Sequence, residues 1–280
     1  MIKGPGEDRD GTFDGAGENP VLHDFDFVRE QFLTLDPTFD IQKSLEAHLR
    51  RQQRWGFVDE AGAALLLQQF EGAKVSGRYL VEGLQALSQK RNMTPLFDDG
   101  STSFIQKIEI LKSLGMPCLP WSCDTIRSFP AATVAKVQPR SLLIDELDIS
   151  NLRYTLEQRG ADSYRSLPKG AAWLEPNHWI DLFLRGLEKD VQKFYDRVDF
   201  SEVTDTQFRE AVIAELTTRE KAPLHLHPLD AETVTCFPHC ADNRGNTLGL
   251  RWDSDERSIH ALRIPFDYTR KFIGPRRVIV

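Results

Sequence analysis

The feature that most constrains the fold of this chain is a change of hydrophobic period at Pro223. Before it, apolar residues recur three and four positions apart, as the buried face of an α-helix requires. After it, short runs rich in Thr, Val, Ile and aromatics are separated by turn-forming residues, as antiparallel strands require. Two periods in separate blocks predict an α+β fold: a mainly helical body and a small C-terminal antiparallel sheet.

Within the helical block, Trp179, Phe183, Leu187, Val191, Phe194 and Val198 form one long stripe, with Asn177 placed as its N-cap. A second helix starts at Thr204, whose relation to Gln207 predicts a capping box, and runs through Phe208, Val212 and Leu216 until Pro223 forbids continuation. Upstream, Phe25, Val28, Phe32 and Leu35 predict a helix that Asp24 and Asp26 begin by capping. The next helix carries Ile41, Leu45 and Leu49 on one face and Lys43, His48, Arg50, Arg51 and Arg54 largely elsewhere, which gives it a basic side. Two more helices begin at Asp59 and Gly77, and another at Phe104 after a loop over Thr94 to Ser103.

The middle of the chain is less regular. ATVAKVQP alternates as a strand would, while SLLIDELDI reads either as a strand ending in acids or as the start of a helix. Ala161 to Pro176 has loop composition and marks the boundary between two halves. The predicted organisation is therefore a flexible tail over residues 1–20, a mainly helical region over 21–165, and long helices followed by a β meander over 166–280. ETVTCF, NTLGLRW and SIHALRIPF supply the meander, with DNRGN and DSDER as its turns. The final RRVIV fits either an edge strand or a partner-binding tail.

A net charge of -7 argues against broad attraction to nucleic acid or anionic lipid; no membrane partner is expected, and the basic helix is the strip that would meet phosphate, nucleic acid or an acidic protein partner. No apolar run reaches the roughly eighteen residues of a membrane-spanning helix, and the opening residues show no signal-peptide pattern. The expected compartment is the cytoplasm, where four cysteines in 280 residues are thiols or metal ligands rather than a disulfide framework.

The chemistry concentrates in PLHLHPLDAETVTCFPHC, Pro223 to Cys240, which holds His225, His227, Cys236, His239 and Cys240. Imidazole and thiolate are the side chains that zinc and other borderline metals prefer. On extended chain His225 and His227 point the same way, so both rings can reach one ion. With Glu232 they spell HxHxxxxE, which resembles the first metal motif of the cupins. That resemblance implies an open iron, manganese or zinc site with His260 as the fourth ligand. The glycine before the first His and the PxG before His260 are absent.

Three other chemistries draw on the same residue types. Cys236, His239 and Cys240 with His225, Cys118 or Cys123 would make a closed structural zinc site. Cys236 or Cys240 with a neighbouring His would make a thiolate nucleophile. Asp145, Glu146 and Asp148 at a strand end would hold magnesium. The sequence thus predicts a metal-dependent enzyme, with zinc or another divalent metal, acting on a small organic or phosphorylated substrate. Its alternative is a non-catalytic adaptor or complex subunit that binds protein or nucleic acid and carries at most a structural zinc.

Overall fold

Helical periodicity folds as helix through most of the first half of the chain. In the computed structural model, residues 21–98, 100, 102–135, 140–146, 163–164, 167, 171–197, 203–218, 226–268, 270 and 272–280 are described. The tail reading of residues 1–20 lies outside them, as do Asp148, Val198 and His225. A short ribbon of β1 (Leu22–Asp24) and β2 (Lys74–Ser76) frames α1 (Phe25–Leu35), α2 (Ile41–Arg54) and α3 (Glu60–Glu71), and α4 (Gly77–Ser88) follows. Their apolar faces meet in one cluster around Phe25, Phe32, Leu45, Phe70 and Tyr79. Asp24 takes the N-cap position of α1, but its side chain makes no cap bond and pairs with Lys74 across the ribbon instead.

Next come β3 (Met93–Asp98), α5 (Phe104–Ser113), α6 (Pro120–Arg127), α7 (Pro130–Thr133), β4 (Arg140–Asp145) and β5 (Ala172–Trp173). Two points correct the sequence reading. Residues 93–98 form a fully buried strand that overlaps the predicted loop, and the turn of helix Pro130–Thr133 takes in Ala132 and Thr133, the first two residues of the run predicted to alternate as a strand, whose last four, 136–139, lie outside the described residues. SLLID resolves as strand β4, which pairs antiparallel with β3 from Met93↔Asp145 to Asp98↔Arg140. Pro95 is tolerated because β3 lies at the edge of its sheet, where a missing N–H breaks no second ladder.

Helix α8 (Pro176–Arg197) begins two residues earlier than predicted, with Pro176 in the first turn, where its missing N–H costs nothing. Asn177 therefore sits inside the helix and donates its amide to the Thr102 carbonyl instead of capping. Helix α9 (Asp205–Thr217) starts on the predicted Thr204–Gln207 capping box, with both reciprocal bonds made. The meander also forms as read, from β6 (Val234–Ala241), β7 (Asn246–Asp253) and β8 (Ser258–Pro265). The chain closes with β9 (Ile273–Gly274) and β10 (Arg277–Ile279).

The fold is α+β, but its sheets are several. Among the described residues there are two four-stranded sheets, ordered β3-β4-β10-β5 and β8-β7-β6-β9, besides the ribbon. The terminal run is neither edge nor tail: β10 lies between β4 and β5, antiparallel to both. Side-chain alternation puts Leu96, Leu142, Ile144 and Val278 on one face and Met93, Phe97 and Leu143 on the other. That sheet therefore divides the N-terminal helical cluster from a larger core running from Trp55 to Val278, which joins residues on either side of position 165. Gly83 on α4 permits the close approach, since a Cβ there would lie 2.8 Å from Phe32 and 2.9 Å from Leu143.

Helix α8 occupies the centre of the larger core. His178, Trp179, Ile180, Asp181, Leu182, Phe183 and Leu184 are all buried in succession, so little of its first turns meets bulk solvent. A helix in that position must satisfy any charge it carries internally, and this one carries Asp181.

Candidate functional site

Of the predicted metal residues, His225 lies outside the described residues and the others separate along the meander and the segment before it. His227 has 82% of its side chain exposed; its backbone N–H donates to Asp190 Oδ2 at 3.0 Å and its ring Nδ1 lies 3.4 Å from the same atom. Glu232 and His239 are exposed, whereas Cys236 and Cys240 are buried. A bulge in β6 divides the two thiols. Four steps from Phe237 to Ala241 answer a single step from Leu248 to Thr247 on β7, and an odd number of extra residues turns the strand over. Cys236 thus packs with Tyr164, Ile264 and Ile273, where burial pushes its thiol up to about 12, while Cys240 joins the main core.

His260 is also buried, 4.9 Å from the Trp121 ring, with Nδ1 3.5 Å from Asp253 Oδ2. Burial first, and then Arg251, hold its imidazole below the ordinary value. Among the described residues no three His, Cys, Asp or Glu come together in a group that could hold a metal ion. Asp145 is bridged to Arg91 at 2.6 Å, and Glu146 accepts from Asn92 and Thr94.

Charge converges elsewhere, between α2 and α8. Asp40 caps α2 by accepting from the backbone N–H groups of Gln42 and Lys43. On this frame His48, Arg51 and Trp55 follow one another at helical spacing, and they face Asp181 and Glu188 of α8. His48 Nδ1 lies 3.1 Å from Asp181 Oδ1, and Arg51 Nη1 donates to that oxygen at 2.8 Å. Arg51 Nε reaches Glu188 Oε2 at 3.1 Å, and Trp55 Nε1 donates to Glu188 Oε1 at 2.9 Å. Burial would raise the Asp181 carboxyl, but Arg51 and His48 outweigh it and hold the group well below the carboxylate range. Burial likewise disfavours the Arg51 cation, yet Asp181 and Glu188 keep it more firmly charged than usual.

A cleft of about 300 Å³ opens over these groups, lined by Lys43, Ser44, His48, Arg51, Asp181 and Arg185 among others. Its charges do not balance internally. Asp40 is committed to the α2 cap and to Arg29 at 3.3 Å, and Asp181 to Arg51 and His48. Arg185, one turn beyond Asp181, donates only to the Pro95 carbonyl at 3.4 Å; among the described residues no carboxylate lies within ion-pair distance of it. Burial is the largest influence on Arg185 and lowers its pKa. Lys43 likewise has no carboxylate partner there.

Two cations with no described carboxylate in ion-pair distance, beside a histidine oriented by a carboxylate, make a cleft suited to a small anion and to moving a proton at its floor. The sequence registered the basic side of α2 but not its burial. The signal for the site was the trio Asp181, Arg185 and Glu188, charges spaced four and three apart on the long helix that carries the Trp179–Val198 stripe. No family model, no curated protein and no solved structure matches this chain.

Proposed function

We propose that the protein binds a small anionic molecule, a carboxylate or a phosphorylated compound, in the cleft between α2 and α8. The observation that carries this reading is Arg185. A guanidinium set into a cleft that it shares with Lys43 and Arg51, and lacking a carboxylate of its own, is completed by an anion from solution. The planar fork accepts two oxygens of a carboxylate or phosphate side by side, and Lys43 at the mouth adds a second charge. In an enzymatic use of the site His48, held through Nδ1 by Asp181, is the group that exchanges a proton with the bound molecule.

Calorimetric titration with inorganic phosphate, phosphorylated sugars and small di- and tricarboxylates tests it. At least one class binds the wild-type protein, and Arg185→Gln weakens that binding tenfold or more, as expected for a charged hydrogen bond of about 1.5–3 kcal/mol. Absence of binding across all three classes, or equal affinity in the variant, overturns the reading.

A further inference from the structure

We propose that Cys118 and Cys123 are a reversible dithiol site, closing to a disulfide when hydrogen peroxide oxidises them. Their sulfurs lie 3.7 Å apart. Helix α6 is what brings them together: with Leu119 as its N-cap and Pro120 in its first turn, Cys118 and Cys123 take the positions on either side of the helix start where two apolar side chains ordinarily form a staple. Here both members of the staple are thiols. The entry chain is fixed as well, because Cys118 bridges Ile259 of β8 and the Pro117 carbonyl accepts from the Ile259 N–H. From the other side, Ser122 Oγ accepts from the Ala261 N–H, so α6 is anchored to the same strand.

The pair is selective by position. Cys236 and Cys240 belong to different apolar clusters, separated by the β6 bulge. Cys118, 9% exposed, sits at the rim and Cys123, 3% exposed, beneath it. In the reaction the Cys118 thiolate attacks one peroxide oxygen, the O–O bond breaks and hydroxide leaves, giving a sulfenic acid. Cys123 sulfur then attacks that sulfur, the S–S bond forms and water leaves. Two thiols lose two electrons and two protons between them, and the peroxide is reduced to two waters. Burial, and then the neighbouring Cys123, hold the Cys118 thiol protonated, which makes the pair slow to oxidise and indifferent to brief exposure.

Peptide mapping tests the proposal, because both cysteines fall in one tryptic peptide, Ser113 to Arg127. Folded protein is treated with hydrogen peroxide, unfolded, alkylated and digested. The expected result is that this peptide loses two hydrogen atoms and takes no alkyl group, that reduction by dithiothreitol restores both thiols, and that Cys236 and Cys240 alkylate throughout. In Cys118→Ser protein the two-hydrogen loss disappears. A wild-type peptide that carries two alkyl groups after peroxide, or that gains oxygen instead of losing hydrogen, overturns it.

Discussion

Two of the buried aspartates, Asp230 and Asp181, each set against an arginine, have opposite surroundings. Asp230 accepts from Trp179 Nε1, Thr233 Oγ1, Thr235 Oγ1 and Arg276 Nη2 at 2.6–2.7 Å, two donors on each oxygen. Arg276 also donates through Nε to Thr235 Oγ1, so the carboxylate joins α8, the start of β6 and the segment before β10 in one closed network. Asp181 has both its partners, His48 and Arg51, on Oδ1, and it lines a cleft in which further cations stand. A carboxylate whose acceptor sites are all taken from within can serve only the fold; one left short of donors beside an excess of positive charge can serve a ligand. Burial alone does not distinguish the two. The balance of donors and charge does.

The largest expected effect falls on the closed network. Asp230→Asn keeps the shape and suits the left-handed backbone at this position, φ 58°, so its cost reports the charge and the bonds rather than backbone strain. Removing the charge opposite a buried arginine is expected to cost about 3–5 kcal/mol. Urea unfolding measures it, and a loss under 1 kcal/mol would break the distinction by showing that the network is not what holds the three segments. Binding in the cleft, measured at a temperature where the variant is folded, is expected to be unchanged.

Asp181→Asn comes next, at about 2–3 kcal/mol, less than for a wholly stranded charge because Arg51 keeps Glu188. The pH dependence has a definite sign. The folded carboxyl is held well below its ordinary 3.8, so the unfolded chain takes up the proton first on acidification. The stabilisation from Asp181 is therefore complete above that value and is lost progressively as pH falls below it toward the folded pKa. The stability gap between wild type and Asp181→Asn should be constant near neutrality and close below about pH 4. A gap that widened with acid would place the carboxyl in a different environment.

How far the sequence disclosed these two centres follows from how local each one is. The Thr204–Gln207 capping box and the β6–β8 meander were legible because their determinants lie within a few residues of one another. β3 was missed because Pro95 and the following Asp-Asp-Gly dominate its composition, while what makes it a strand is Leu142, Leu143 and their neighbours on β4. β10 was missed for the same reason: nothing in RRVIV says that it will be inserted between β4 and β5. The cleft joins α2 to α8 across 130 residues of chain, and polar positions on α2 read as a solvated face until the partner helix is in place. For Cys236 and Cys240 the difference runs the other way. Nearness in sequence implied nearness in space, and the odd-numbered bulge in β6 sent Cys236 and Cys240 to different clusters.

Arg185→Gln sharpens the comparison from the other side. Burial disfavours this cation more than the nearby Asp181 and Glu146 favour it, and no described carboxylate pairs with it directly, so its removal relieves a cost instead of breaking a pair. Stability should change by no more than about 0.5 kcal/mol, or rise slightly, while anion binding falls. A residue that is dispensable to folding and required for binding is what separates an open centre from a closed one. Destabilisation beyond about 1 kcal/mol would mean that Arg185 belongs with Arg276 as part of the fold.

The smallest effect is expected at His227→Ala. The ring is almost wholly exposed, and the stronger of its two contacts to Asp190 is made by the backbone N–H, which the substitution leaves in place. Stability should stay within about 0.5 kcal/mol of wild type, and affinity for anions in the α2–α8 cleft should not change. The same variant is the sharpest test of a metal at this stretch. A site built on His225 and His227 would lose its ion with either ring, so elemental analysis of wild type and His227→Ala, both purified under reducing conditions, should give the same zinc content if the chemistry of the chain resides in the cleft. Stoichiometric zinc that vanishes with His227 would move the open centre of this molecule from the helices to the start of the meander.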